Sequence, residues 1–219
     1  GVELRTGQRV NKTRTENGSA VGVELEGGET IQADAVVSNC DVQRTMQDLI
    51  DSPNAEREQR SIAKHHEPAC SGVVLYLGLD RRYEHLAHHN FLFSADSRAE
   101  FDDLYHRGVP ADDPTLYIAA PSRTDPNQAP PGGEALYILV HTPYIREGSI
   151  QGKTREFLDA YRPVIMRKLA RFGMEDIEDR IVVEHSLLPR GIEQRYNAEG
   201  GAIYGLASHG RLRGGFKPR

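Results

Sequence analysis

Hydrophobic positions are densest in residues 69–94, and the other predicted elements are arranged around this stretch. Its first run has valine, leucine and tyrosine at consecutive positions, so apolar side chains lie on both faces of a predicted strand. Its second run is shorter, with Phe91 and Phe93 on one face and Leu92 on the other. Two later runs have similar composition, which predicts four strands of one sheet. These strands cover residues 71–79, 90–94, 115–120 and 135–141.

The first part of the chain shows short alternating segments that are separated by residue pairs typical of tight turns. Asn-Gly at 17–18 and Gly-Gly at 27–28 are strong hairpin signals. Residues 8–32 are therefore predicted to form a three-stranded antiparallel meander. Residues 33–38 (ADAVVS) follow without a long loop and are predicted to form a short buried strand.

Helical periodicity marks most of the remaining chain. Asp41 is a good N-cap for a helix over residues 42–50, which carries its apolar side chains on one face. The longest helical pattern covers residues 152–173, and Pro163 is expected to kink or divide it. The other predicted elements are a surface helix over 55–64, a helix over 97–105 with Phe101, Leu104 and Tyr105 facing inward, a strand over 180–188 and a short helix over 189–196.

Composition narrows the class of protein further. The 219 residues carry a net charge of −5, which gives no footprint for nucleic acid. No apolar run approaches the ~18 residues that a membrane-spanning helix needs. The two cysteines, Cys40 and Cys70, form no CxxC motif, which favours a reducing compartment such as the cytoplasm. The predicted class is α+β (α/β), with a mixed, largely antiparallel sheet flanked by helices.

Histidines raise the hypothesis of a metal site. His85, His88 and His89 lie close together, and a second group follows the predicted surface helix at 65–67 (His-His-Glu). Zinc needs ligands that converge at ~2.0–2.3 Å, whereas adjacent histidines on a strand point to opposite faces. No HExxH or CxxC motif supports the cluster. The sequence therefore favours loop or core histidines and predicts no metal, with a His-rich metal-binding domain as an alternative.

Other catalytic motifs are absent from the sequence. It has no GxSxG nucleophile elbow, and its double-glycine stretches do not fit GxGxxG between a strand and a helix. From residue chemistry alone the prediction stops at an α+β chain with a mixed sheet, and no catalytic residue is assigned.

A resemblance adds more, and several short segments in a fixed order carry it. In that order and spacing they resemble the flavin-dependent phytoene desaturase family, which includes related carotenoid dehydrogenases and oxidoreductases. The segments cover nearly the whole chain. They are Val10, Gly-Val-Glu-Leu at 22–25, ADAVVSNCD at 33–41, residues 70–79, His-His-Asn at 88–90, Asp-Pro-Thr at 113–115 with Tyr117, Asp-Pro at 125–126, Ala-Pro at 129–130, Arg-Tyr at 195–196 and residues 200–205.

The resemblance implies FAD as the cofactor of the full-length protein. Members of that family open with a GxGxxG turn that binds the ADP part of FAD, and this sequence has no such turn. The chain is therefore expected to be an internal piece that is inactive and holds no FAD by itself. By resemblance, Val10 lies near the adenine, and Ser38 and Asn39 lie near the ADP half of the cofactor.

The same resemblance implies a division into domains. Residues 1–41 are expected to be part of the FAD-binding domain, as its meander and last strand. Residues 42–199 are expected to form the substrate-binding domain, and residues 200–219 the start of the return to the FAD domain.

The implied chemistry is dehydrogenation of C–C bonds in a carotenoid precursor such as phytoene. Such a substrate has almost no polar group, so its binding must come from apolar burial at ~25 cal/mol per Å². Tyr76, Phe91, Phe93 and Tyr137 are the candidate substrate-binding residues, and core packing is an equal alternative for them. The Tyr76 face is predicted to be the ligand side because Gly78 leaves room there.

Two further expectations concern partners and function class. Peripheral membrane contact is expected for a full-length protein with a carotenoid substrate, and nucleic acid is not expected as a partner. The competing hypothesis keeps the fold without the enzyme, as a non-enzymatic lipid- or partner-binding module.

Overall fold

A computed structural model describes residues 1–207, which fold as two compact units. The first unit contains Gly1–Glu67 and Tyr196–Glu199, with residues 205–207. The second contains Pro68–Arg195 and Gly200–Tyr204. Of the predicted return segment, residues 208–219 lie outside the described part of the chain.

The first unit is built on the predicted meander. Strands β1 (Val10–Glu16), β2 (Ser19–Leu25) and β3 (Thr30–Gln32) form an antiparallel sheet in that order. Asn17 and Gly18 have φ of 51° and 80°, as an Asn-Gly hairpin turn requires. The turn chemistry and the alternation therefore agree, and the predicted meander is confirmed.

The predicted buried strand over residues 33–38 is wrong. The Ala33 N–H still donates to the Val21 carbonyl of β2, but these residues form no strand, and Val37 is 94% exposed. Their composition favours a strand, but a strand also needs a neighbour to satisfy its backbone groups. Within residues 1–207 the meander ends at β3, and no strand pairs with 33–38.

Two helices follow in the first unit. Helix α1 (Val42–Arg44) continues as a π-helical turn over Thr45–Leu49. The Asp41 carboxylate accepts hydrogen bonds from the backbone N–H groups of Gln43 and Arg44, so the predicted N-cap is confirmed. Helix α2 (Pro53–His65) is mostly exposed, as predicted.

The second unit is built on a five-stranded sheet with strand β4 (Ser71–Leu79) near one edge. The predicted strands share this sheet, and the strand predicted at 180–188 joins it beside β4. All of its neighbouring strands pair antiparallel. The order is β5 (His89–Leu92), β6 (Leu116–Ala119), β7 (Glu134–Thr142), β4 and β8 (Ile181–Leu187).

One face of this sheet forms the core with helix α4 (Thr154–Arg171). Leu75 on β4 is fully buried in the same cluster as Phe157 and Leu169 of the helix. Pro163 lies inside α4, which remains one continuous helix, so the proline does not divide it. The shorter helices are α3 (Ser97–Asp102), extended by a π-helical turn over Asp103–Arg107, α5 (Ile177–Arg180) and α6 (Pro189–Tyr196).

The predicted inward face of α3 is only partly right. Leu104 is buried, but Phe101 is 57% exposed and stacks on Tyr105. Glu100, one helical turn before Leu104, is also buried. Its carboxylate accepts hydrogen bonds from the backbone N–H and the hydroxyl of Thr115. These two hydrogen bonds offset the cost of burying a charged group, so the helix turns Phe101 outward.

Candidate functional site

The second face of the five-stranded sheet carries a row of aromatic side chains. Alternation in β4 sends Leu75 into the core and Tyr76, 42% exposed, to this second face. The ring of Tyr76 meets that of Tyr137 at 5.5 Å, and Tyr137 meets Tyr117 at 6.1 Å. Tyr117 meets Phe91 at 5.1 Å, and Phe91 stacks on Phe93 at 5.9 Å. We refer to these five residues as the aromatic row.

The row crosses the sheet, because its members stand on neighbouring strands. Tyr76 and Tyr137 are direct partners in the β4–β7 register, and Phe91 and Tyr117 are partners in the β5–β6 register. On the far side, Tyr76 is the register partner of His185 on β8. Five strands at a spacing of about 4.8 Å place the two ends of this path about 19 Å apart.

A groove of about 710 Å³ lies over the β4, β7 and β8 part of this face. It is lined by Tyr76 and Tyr137, by Val183 and His185 of β8, and by residues 129–131 (Ala-Pro-Pro) of the loop before β7. Aromatic rings and aliphatic side chains dominate the lining. A groove of this kind binds apolar ligands through contact area rather than through charge.

Gly78 has a different role from the predicted one. A β-carbon at this position would lie 2.6 Å from Cγ1 of Val183, so the valine occupies the space above the glycine. Gly78 therefore allows β8 to approach β4 closely, and Gly78 and Val183 both line the groove.

All four predicted substrate-binding residues, Tyr76, Phe91, Phe93 and Tyr137, lie in the aromatic row. Two further side chains on the same face, Tyr117 and His185, were not among the predicted substrate-binding residues. The alternation of 115–120 gives the signal for Tyr117, whereas the place of His185 depends on the pairing of β8 with β4. Binding of a substrate by these residues stays a prediction.

A polar cluster of His141, Tyr204 and Cys70 lies on the same face as the row, at the edge where β4 begins and β7 ends. His141 Nε2 lies 3.2 Å from the Tyr204 hydroxyl oxygen, and their rings are 5.8 Å apart. Burial lowers the pKa of His141 and raises the pKa of the Tyr204 hydroxyl and of the Cys70 thiol. These shifts favour the uncharged form of each group near pH 7. The cluster therefore offers hydrogen bonds rather than an ionised nucleophile.

The histidines of the predicted loop are engaged separately. The Nδ1 of His88 is hydrogen-bonded to the Thr124 hydroxyl, and the Nδ1 of His89 lies 2.8 Å from the Tyr117 hydroxyl. His85 packs edge-on against Phe172. Among residues 1–207, no group of three histidine, cysteine or acidic side chains is arranged to hold a metal ion.

The predicted cofactor residues all belong to the first unit. Val10 begins β1 and pairs with Leu25. Ser38 and Asn39 are exposed, and the Ser38 hydroxyl oxygen lies 2.7 Å from that of Thr45. The role of these three residues in binding a cofactor stays a prediction.

The described residues do not by themselves fit the pyrophosphate of FAD. The helix that follows Asn39 has its first amides capped by the Asp41 carboxylate, which repels a phosphate at the same place. No glycine-rich turn joins a strand to a helix within residues 1–207. Ser38 and Asn39 offer exposed polar side chains beside this helix.

The chain is similar to several known proteins. It is 39% identical over 217 residues to a 4,4'-diapolycopene oxygenase of Methylomonas sp. The aligned segment is 99% of this chain and 43% of that protein. It is also 39% identical to a 4,4'-diaponeurosporene oxygenase of Staphylococcus haemolyticus, over 99% of this chain and 42% of that protein. The chain thus spans less than half the length of the curated relatives that it matches.

The fold agrees with a solved structure. An oxidoreductase from Methanosarcina mazei matches 84% of this chain and 37% of its own, with a TM-score of 0.50 and 21% sequence identity. This likeness confirms the fold class. The family model described as flavin containing amine oxidoreductase matches residues 1–186. The predicted resemblance to flavin-dependent, carotenoid-modifying oxidoreductases is therefore confirmed, and the chain belongs to the flavin-containing amine oxidoreductase family.

Proposed function

We propose that the full-length protein is a flavin-dependent oxidoreductase that acts on a long conjugated isoprenoid, and that the aromatic row binds this substrate. The observation that carries the proposal is the row itself, since exposed aromatic rings on neighbouring strands form an extended apolar surface beside a groove. The family model supports the flavin. The names of the oxygenase relatives support the substrate class.

The energetics suit a ligand with few polar groups. A rod-shaped polyene that removes about 400 Å² of apolar surface from water gains about 10 kcal/mol before the cost of association is subtracted. Flat rings also hold little conformational entropy to lose on binding, which favours aromatic over aliphatic contacts. The groove therefore has the means to bind and orient a substrate that presents no charge.

Two reactions are open for this substrate class. The first is dehydrogenation of C–C bonds in a precursor such as phytoene, for which bound FAD supplies the hydride acceptor and the protein supplies position and exclusion of water. The second is oxidation at a chain end, which the names of the oxygenase relatives favour.

An assay of the full-length protein with FAD decides between these reactions. The substrates are a panel of acyclic carotenoid precursors and carotenoids, and the products are separated by chromatography. New double bonds in a phytoene-like precursor support dehydrogenation, and a new terminal carbonyl group supports oxygenation. Binding without turnover of any substrate contradicts the proposal and favours a non-enzymatic lipid-binding module.

Variants tie the activity to the row. Tyr76→Trp should narrow the groove, and Phe91→Ala should remove apolar contact, so both should lower turnover. Arg155→Ala is the matched control, because its side chain is 87% exposed on α4 and lies on the opposite side of the sheet. Equal activity in all three variants would contradict binding at the row.

We further propose that the full-length protein is cytoplasmic and contacts the membrane peripherally, since its substrate class dissolves in lipid. No helix within residues 1–207 is long and apolar enough to cross a membrane. Flotation with lipid vesicles tests the contact, and a protein that stays in the lipid-free fraction with and without polyene would contradict it.

A further inference from the structure

The two ends of the aromatic row differ in chemistry. At the β5–β6 end the rings of Phe91 and Phe93 are exposed, and the Tyr117 hydroxyl is already hydrogen-bonded to His89. At the β4–β8 end stand Tyr76 and His185, which face each other in register. At the β5–β6 end two exposed phenylalanine rings accompany a phenol and an imidazole that are hydrogen-bonded to each other, whereas the phenol and imidazole at the β4–β8 end make no such bond.

The polar groups of Tyr76 and His185 have no hydrogen-bond or charge partner in the part of the chain that the structure describes. The ring of Tyr76 forms an edge-on pair with that of Tyr137, and the imidazole of His185 is exposed on β8. Both side chains line the same groove. Between them they can donate and accept hydrogen bonds, so a ligand with an oxygen atom at its end would meet two partners.

Two of the other polar side chains along the groove are engaged by neighbouring residues. Glu134 is buried and held by Arg123. The amide of Gln128 donates to Asp125. Tyr76 and His185 thus form a facing polar pair in the groove that is available to a ligand.

We propose that Tyr76 and His185 are specificity-determining residues that bind an oxygen function at one end of a polyene, while Phe91 and Phe93 contact its apolar end. The ligand class is a linear polyene with a terminal hydroxyl or carbonyl group, held in one direction along the row. This inference rests on the proposed function, because it places a polyene on the aromatic row. It adds the direction of the ligand and the residues that set it.

Two ligands of equal chain length test the inference on the full-length protein. One is a linear polyene hydrocarbon and the other is the same polyene with a terminal hydroxyl group, each delivered in detergent micelles. Binding is followed by the induced circular dichroism of the polyene absorption, measured as a difference against ligand-free protein. The variants are Tyr76→Phe and His185→Phe, which keep an aromatic ring, and Phe91→Leu as the control at the apolar end.

The expected result is a selective loss. The unaltered protein should bind the polyene alcohol more tightly than the hydrocarbon. Each of Tyr76→Phe and His185→Phe should weaken alcohol binding roughly five- to tenfold, as loss of one hydrogen bond does, and leave hydrocarbon binding unchanged. Phe91→Leu should weaken both ligands by the same factor, because it removes apolar contact only.

The outcomes separate this inference from the proposed function. If neither ligand binds the unaltered protein, both proposals are overturned. If both ligands bind and neither phenylalanine variant alters their affinity ratio, the aromatic row remains a polyene site and the polar pair has no role. A change of the ratio in Phe91→Leu alone also overturns the inference, since it would place the oxygen function at the β5 end. Tyr76 and His185 are on different strands, so one informative variant suffices if the other fails to fold.

Discussion

At the scale of single residues, neighbouring side chains of β4 have opposite environments. Leu75 is fully buried against α4, whereas Tyr76, one residue on, is 42% exposed beside the groove. The pleat of the strand separates a residue that stabilises the fold from one available to a ligand.

Substitutions at these two positions should therefore have different effects on stability. Leu75→Ala should lower the free energy of unfolding by about 2–5 kcal/mol, as truncation in a tight core does. Tyr76→Trp should change it by about 0.5 kcal/mol or less, because the side chain is half exposed. Urea unfolding followed by circular dichroism measures both. Equal losses would show that β4 is buried on both faces, and the reverse order would show that the faces are exchanged.

Asp176 is the residue for which a dependence on pH is expected. Its carboxylate accepts hydrogen bonds from Arg180, the Tyr83 hydroxyl and Arg81, and these hold its pKa well below the usual range. A carboxyl group whose pKa is lower in the folded state stabilises the fold. Its full contribution is present at pH values above the unfolded pKa of about 3.9 and is lost as the pH falls further. Asp176→Asn should therefore lower the Tm at pH 7, and its difference from the unaltered chain should shrink below about pH 4.

Glu175→Gln is the control for this prediction, because Glu175 is exposed and adjacent. Thermal unfolding from about pH 2.5 to about pH 7, which brackets the unfolded carboxyl pKa of about 3.9, gives the curves. A Tm difference for Asp176→Asn that grows as the pH falls would contradict the assigned sign.

At the scale of elements, loops and strands are held in place by a few close contacts. The loop between β6 and β7 sends Arg123 inward to Glu134 at the start of β7. Glu134 also accepts a hydrogen bond from the backbone N–H of Tyr83. This buried ion pair fixes one border of the groove, since residues 129–131 of the same loop line it.

Removing the cation should be costly. Arg123→Met leaves the Glu134 carboxylate, whose side chain is fully buried, without its charge partner and should cost about 3–5 kcal/mol in unfolding free energy. Glu84→Gln is the matched control, because Glu84 contacts the same arginine at 3.2 Å from an 82% exposed position and should be near neutral. Chemical denaturation measures both, and a loss as large in Glu84→Gln would show that the exposed contact dominates.

The meander contains a glycine that its strand pairing requires. A β-carbon at Gly22 would lie 2.2 Å from the carbonyl oxygen of Ile31 on β3. Gly22→Ala should therefore separate β2 from β3 and cost about 2 kcal/mol or more. Gly28→Ala, at a turn with φ of 88° and no atom near the added carbon, should cost only the backbone strain of about 1 kcal/mol. Amide hydrogen exchange of β3 reports the difference, and equal protection in the two variants would contradict it.

At the scale of the whole molecule, the chain contributes one compact unit around the meander and one around the five-stranded sheet. The aromatic row lies wholly in the second unit, and the predicted cofactor residues Val10, Ser38 and Asn39 lie wholly in the first. The proposed reaction on a polyene uses a flavin, for which the described residues give no pyrophosphate cradle.

The 219-residue chain by itself should therefore not hold FAD. Titrated FAD should keep its free fluorescence in the presence of the chain, because no glycine-rich turn at a helix N-terminus is available among the described residues to bind the pyrophosphate. Quenching at micromolar chain concentration, together with flavin absorbance that remains after gel filtration, would contradict this prediction. A full-length protein prepared in parallel is the positive control.

The sequence by itself determined the elements whose signals are local. The Asn17-Gly18 turn, the Asp41 cap and the apolar alternation of β4 each act within a few residues, so their structures follow from propensity and period. The order of short motifs also identified the family, because it records a common ancestor rather than a physical contact. Tyr76, Phe91, Phe93 and Tyr137 are candidates through the chemistry that this resemblance implies, and the alternation added which face Tyr76 takes.

Tertiary structure decided what depends on partners distant in sequence. Residues 33–38 have the composition of a strand but lack a neighbour in the described chain, and Phe101 turns outward because Glu100 finds Thr115. His185 joins the groove only because β8 pairs with β4, and Arg123 points inward only because Glu134 is buried beside its loop. Hydrogen bonds, ion pairs and burial are satisfied between segments, and local periodicity carries no information about which segments meet.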